Sequence, residues 1–251
     1  MSAKEALRIK MAVFDIDGVI IPKGTEIHEN IDGTEFEMRT HKLSKNFVEN
    51  VRKLKKYVRV DFSSGRSLLY LRSLVKDFFD RDVILQTENG ALSFLDGEII
   101  HPDFPNDYFE LVYKLKDLVQ ENRDKLQVEG FEPKLFILTV HAAEENRLFY
   151  DLVKKVDTHG ILSCVWGGEA YDVSLKGVTK GQMLAEISQR LGLKSAEVLT
   201  TGNAMNDKEM LEFGVGVTAE PDVVWGRYKS SGKKLCGEEV AEFLVKKFEN
   251  K

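Results

Sequence analysis

The sequence predicts an α/β protein, a doubly wound parallel sheet with a smaller α+β unit inserted into it. Short apolar runs recur, each followed by a loop and then by residues at helical spacing. That rhythm requires right-handed crossovers between parallel strands. It breaks off in the middle of the chain and resumes near the end, which marks an insertion. Oxygen-rich loops follow the apolar runs, and open α/β sheets bind ligands outside the carboxyl ends of their strands.

The 251 residues suffice for a core and an insert. No apolar run approaches the roughly 20 residues needed to span a bilayer. The opening ten residues lack an apolar stretch of signal-peptide type, so the sequence points to the cytoplasm. Cys164 and Cys236 are far apart in sequence and read as ordinary reduced thiols. A net charge of −5 gives no electrostatic reason to bind nucleic acid, and the scattered Lys pairs read as solvated faces.

Residues 11–16 form an apolar run ending in acids, which suits a strand buried on both faces. Ser44 caps a helix in which Phe47, Val48, Val51 and Leu54 recur at helical spacing. Strands are expected over 58–62 and 83–86, with a helix over 67–79 between them. Near the end, 178–191 reads as a helix, 197–201 as a strand, 205–213 as a helix and 215–217 as a strand. A last helix over 238–248 opens with two acids, favourable at a helix N-terminus. In the middle, 106–121 and 143–156 read as helices. Strands are expected over 134–141, 161–166 and 169–174, the last two around a Gly167-Gly168 turn. The expected core is therefore 1–95 with 173–251, and the insert 96–172. Residues 24–41 are long for a strand-to-helix connection and read as a hairpin turning at Asp32-Gly33.

Four runs carry chemistry. Asp15-Ile16-Asp17-Gly18 sets two carboxylates at a strand end, where they repel unless a cation intervenes or one is protonated. The same residues also suit an Asp turn with Gly in the left-handed region. Ser63-Ser64-Gly65-Arg66 offers a hydroxyl and free N–H groups to phosphate oxygens, or a helix cap at Ser64. Lys180, at a helix start, opposes the macrodipole unless an anion lies between them; alone it reads as exposed. Gly202-Asn203-Ala204-Met205-Asn206-Asp207 is an oxygen-rich loop fit for a hard cation, or a loop capped by its Asn residues. Together, at one sheet edge, they suit phosphoryl transfer, which needs positioning and neutralisation of oxygen charge.

Taken in order, these runs resemble the four motifs of haloacid-dehalogenase-type phosphatases. Glu88-Asn89-Gly90-Ala91, Gly177-Val178-Thr179-Lys180-Gly181 and Asn206-Asp207 before Met210-Leu211 resemble the Cof-type branch, whose cap lies between the second and third motifs. The resemblance implies the HAD fold, a Rossmann-like doubly wound core with an inserted cap domain. It implies a Mg²⁺-dependent phosphatase acting on a small phosphorylated metabolite, a sugar or sugar-acid phosphate. Asp15 would be the nucleophile and form an aspartyl-phosphate, and Asp17 the general acid and base. Ser64 (or Ser63, one place earlier), Gly65, Lys180 and Asn206 would hold the phosphoryl group. Asp15, Asp17, Asn203 and Asp207 would serve the metal.

Two departures stand out. The family usually has Asp where this chain has Asn203. The hairpin at 24–41 is similar to the flap of capless, oligomeric relatives, and implies either a roof over the site or a homo-oligomer interface. Asn89, Trp166 and Glu169 are candidates for reading the leaving group. A phosphomutase would need a second phosphate site in the cap, where Lys134, His141 and Arg147 form no tight basic cluster. A non-catalytic phosphate sensor conflicts with the retained Asp15, Asp17 and Lys180.

Overall fold

A computed structural model describes residues 1–30 and 32–251, in two compact units. The first unit comprises residues 1–24, 41–101 and 179–251. It opens with the short helix α1 (Ala3–Ala6), then β1 (Met11–Asp15), buried at every position. The chain next enters the hairpin β2 (Glu26–Glu29) and β3 (Phe36–Arg39) of the second unit. It returns with α2 (Lys45–Leu54), where the Ser44 hydroxyl accepts from the Phe47 N–H, a cap worth about 1 kcal/mol. Then follow β4 (Arg59–Ser63), α3 (Leu68–Leu74), β5 (Val83–Thr87), β6 (Leu92–Leu95) and β7 (Glu98–Ile100).

The second unit continues with α4 (Tyr108–Glu121), α5 (Arg123–Leu126), β8 (Val128–Glu132), β9 (Leu138–Ala142), α6 (Arg147–Val156), β10 (Leu162–Trp166) and β11 (Ala170–Leu175). The first unit closes with α7 (Lys180–Arg190), β12 (Val198–Gly202), α8 (Lys208–Phe213), β13 (Val215–Thr218), β14 (Tyr228–Lys229) and α9 (Cys236–Glu249).

The core sheet runs β14-β13-β12-β1-β4-β5-β6-β7, parallel from β14 to β5 and antiparallel beyond. The expected α/β class and doubly wound parallel core are therefore observed. Phe14, Phe47, Phe62 and Phe78 stack through one side of it, centroids 5.4–6.4 Å apart. Met11, Val13, Ile84, Met183, Leu184 and Ile187 fill another cluster. The position of β1 between β12 and β4 brings the ends of those three strands together.

The second unit is an antiparallel sheet in the order β10-β11-β9-β8-β2-β3. Tyr108, Leu115, Val119, Phe149 and Val153 of α4 and α6 cluster with Phe131, Val140, Tyr171 and Val173 of the sheet. Its extent differs from the expected 96–172 in three ways. Residues 98–100 stay with the core, because β7 pairs with β6 across Asp96-Gly97, both at positive φ. The insert reaches residue 178, since β11 pairs with β10 as far as Leu175. Residues 25–40 belong to it and not to the core: Glu29 pairs with Phe131 of β8, and the Lys116 ammonium donates to Glu29 at 3.2 Å. Ile31 lies outside the described residues. Strand β8 escaped the sequence reading because Gly130 interrupts its short pattern. Among the described residues no helix is long and apolar enough to cross a membrane.

Candidate active site

Asp15 is the last residue of β1, only 6% exposed, in register with Ser63 of β4. The chain then turns tightly: Val19, Ile20 and Ile21 all donate to the Ile16 carbonyl, with Gly18 at φ +80°. Lys180 opens α7, whose cap is Thr179, and reaches inward until 1% exposed. Its ammonium donates to Asp15 Oδ1 and to Asp207 Oδ1, each at 2.7 Å. The lysine that alone read as an exposed residue is thus a buried bridge between two carboxylates. Burial pushes the Asp15 carboxyl up and Asp207 adds to this, against the pull of Lys180. For Lys180, burial works downward, but the two carboxylates outweigh it and hold the ammonium above its ordinary range.

Asp207 was expected to serve the metal. Its Oδ1 takes the lysine, and its Oδ2 takes the N–H groups of Asn203 and Ala204 at 2.9 and 3.1 Å. With both oxygens engaged, it holds Lys180 and shapes the loop. Gly202 permits this, since a Cβ there would stand 2.6 Å from Asp207 Cβ.

Asp17 Oδ2 accepts from Arg66 Nε at 3.4 Å, while its buried Oδ1 has no hydrogen-bond partner. Asn203 is buried, and its Nδ2 donates to Glu220 Oε1 at 3.2 Å. The same oxygen takes Lys23 at 2.6 Å, which holds the Glu220 carboxyl below its usual range. The four carboxylates of Asp15, Asp17, Asp207 and Glu220 outnumber the three cations of Lys180, Lys23 and Arg66, so an added cation is electrostatically favoured. Among the described residues no three His, Cys, Asp or Glu side chains form a metal-holding group. A hard cation would draw instead on the Asp15 carboxylate, the Asp17 carbonyl and the Asn203 amide oxygen, a donor set that fits Mg²⁺.

Ser64 follows β4 directly and is buried; its hydroxyl accepts from the Arg66 N–H at 3.2 Å. It does not cap α3, a task that Ser67 performs. Ser63 Oγ is fully buried without a partner, so both hydroxyls remain candidates.

Asn89, expected as a reader of the leaving group, is a brace. Its N–H donates to the Ser64 carbonyl at 3.1 Å, and Glu88 N–H to the Arg66 carbonyl at 3.0 Å. Asn89 Oδ1 accepts from Asn206 Nδ2 at 3.1 Å, and a Cβ on Gly65 would stand 3.1 Å from the same oxygen. Gly90 lies so close to the α7 start that a Cβ would meet the Thr179 carbonyl at 2.4 Å. Glu88 and Asn89 both sit at positive φ, near 53° and 55°, a strain that such a junction retains. One turn thus ties the Ser64 loop, the Lys180 helix and the Asn206 loop.

In the second unit, Trp166 packs on Tyr171 with centroids 4.6 Å apart and lies, partly buried, against the apolar core. Glu169 lines a cavity of about 460 Å³ with Thr25, Glu26, Glu129 and His141. Sequence reasoning missed Glu220 and Lys23; nothing local marks them, since Glu220 lies 17 residues from Asn203.

A doubly wound α/β core with a carboxylate–ammonium centre at its strand ends defines the class. The family model of haloacid dehalogenase-like hydrolases matches residues 106–219. A phosphoglycolate phosphatase of Methanopyrus kandleri (strain AV19) is 27% identical, with 82% of each chain covered. An HMP-PP phosphatase of Enterobacter sp. (strain 638) is 23% identical, with 80% of each covered. The crystal structure of a trehalose-6-phosphate phosphatase related protein shares the fold at a TM-score of 0.67. It is 12% identical and is matched over 96% of this chain and all of that one. Over residues 106–219 the chain is thus similar to haloacid dehalogenase-like hydrolases, and it shares its fold with the solved structure.

Proposed function

We propose that the chain hydrolyses the phosphoric monoester of a small metabolite, with Asp15 as nucleophile. The observation that carries this is the buried Lys180 ammonium, 2.7 Å from both Asp15 and Asp207. It holds the nucleophile and offers positive charge where phosphoryl oxygens would gather. The relatives named for phosphoglycolate and HMP-PP support a small substrate.

An Asp15 carboxylate oxygen attacks phosphorus and forms an aspartyl-phosphate, while the ester oxygen leaves. Asp17 protonates that oxygen, then takes a proton from the water that cleaves the acyl-phosphate. Inorganic phosphate is released and Asp15 regenerated. Lys180 and a Ser64 or Ser63 hydroxyl bind the phosphoryl group. Mg²⁺, held by Asp15, the Asp17 carbonyl and Asn203, would supply charge neutralisation of the phosphoryl oxygens. A mutase would require a second phosphate site in the cap. Lys134 does not provide one, because Glu132 and Asp172 hold it at 3.4 and 3.5 Å.

The test is phosphate release from a panel of sugar and sugar-acid phosphates, with and without Mg²⁺, by the natural protein and Asp15→Asn. Mg²⁺-dependent release lost in the variant is expected. Undiminished release by Asp15→Asn would overturn the assignment.

A further inference from the structure

Asn203 brings a difficulty that Asp would not. A carboxylate presents two equivalent oxygens to a cation, whereas an amide presents one oxygen and one NH₂ group. A half-turn about its last bond replaces the ligand oxygen by a donor that repels a cation. Something must fix the orientation.

Glu220 stands where this can be done. The loop after β13 is tied to the end of β12 by Ala219 N–H donating to the Gly202 carbonyl at 2.8 Å, one residue before Asn203. The Glu220 N–H donates to Thr218 Oγ1 at 3.1 Å, and its carbonyl accepts from Val223 and Val224, each at 3.0 Å. On this fixed backbone the carboxylate meets Asn203 Nδ2 at 3.2 Å and Lys23 Nζ at 2.6 Å through one oxygen. An ionised carboxylate only accepts, so the end of the amide facing it must be the NH₂ group. Gly18 leaves room for that end, since a Cβ there would lie 2.3 Å from Asn203 Nδ2.

We propose that Glu220 is a positioning residue for Asn203: seated by Lys23, it takes the amide NH₂ and commits Asn203 Oδ1 to the cation. The proposal rests on the metal-dependent reading above and deepens it. It makes Glu220 and Asn203 a matched pair that substitutes for the usual Asp. Outer residues that orient a metal ligand are worth about 10–100-fold in affinity when removed.

The experiment is calorimetric titration of the full chain with Mg²⁺, which reads binding without turnover, checked by circular dichroism for folding. Glu220→Ala should raise the Mg²⁺ dissociation constant about tenfold. Glu220→Gln keeps an acceptor oxygen for Nδ2 and should recover most of that loss. In an Asn203→Asp background, where orientation no longer matters, Glu220→Ala should cost nothing or tighten binding. Equal losses for Ala and Gln would make the effect one of net charge and overturn the proposal. So would an equal loss in the Asp background, or no loss in the natural one. If the natural chain binds no Mg²⁺ at all, the metal reading fails and the proposal falls with it. Metal binding unchanged by Glu220→Ala sinks the positioning role alone.

Discussion

Asp61 should set how the stability of this protein responds to pH. It lies in the middle of β4, 0% exposed, in register with Val13 of β1 and Ile84 of β5. Gln86 Nε2 donates to its Oδ2. Asp61 Oδ1 and Gln86 Oε1 are both buried without a hydrogen-bond partner. An unpartnered, buried carboxylate oxygen favours the neutral acid over the charged form. Burial pushes this carboxyl from 3.8 up to about 7, with Gln86 and Arg59 opposing. In the folded chain the protonated form is favoured, so the contribution is fully present below pH 4 and lost as pH rises through 7. A rise of about three units at about 1.36 kcal/mol each gives about 4 kcal/mol as the upper bound across that window. Asp61→Asn keeps the shape, still accepts from Gln86 Nε2, and cannot ionise. It should leave stability near the natural value at pH 4.5 and raise it at pH 8. At about 2–4 °C per kcal/mol for a chain of this size, the Tm at pH 8 should rise by up to about 16 °C. Thermal unfolding followed by circular dichroism at the two pH values is the assay. An equal shift at both, or a loss at pH 8, would refute the argument.

Other consequences follow from the site. Lys180→Met leaves two carboxylates facing each other in a buried space, so it should abolish phosphate release and cost about 3–5 kcal/mol in urea denaturation. Gly90→Ala forces a Cβ toward the Thr179 carbonyl at a φ of +94°, and should cut turnover while destabilising the core by several kcal/mol. Ser64→Ala and Ser63→Ala separate the two hydroxyls: the one that binds the phosphoryl group should raise KM for the best substrate about tenfold or more, the other should act on Tm alone. Removing divalent ions with EDTA should stop phosphate release, and Mg²⁺ should restore it.

Much of this was legible in the chain itself. The apolar runs at 11–16, 58–62, 83–86 and 197–201 identified the buried strands, because a strand covered on both faces has no polar side. Asp15, Ser64, Lys180 and Asn203 could be named because each ends or follows a strand or opens a helix, and those places share one sheet edge. Asp96-Gly97 was a readable hairpin signal as well, and it would have kept residues 98–100 with the core. Other features had no local mark. The hairpin at 25–40 joins the second unit through pairing between residues about a hundred positions apart, Glu29 and Phe131. Asp207 reads as an acid in an oxygen-rich loop, and only the approach of Lys180 and two N–H groups gives it its task. Asn89 becomes a brace, and Glu220 a partner of Asn203, only once three loops are folded together. Strand burial and loop chemistry are periodic and local, so the sequence by itself determined the sheet and the residues along its edge. Which oxygen meets which donor depends on side chains brought from distant segments into one buried space, and that the tertiary structure alone decided.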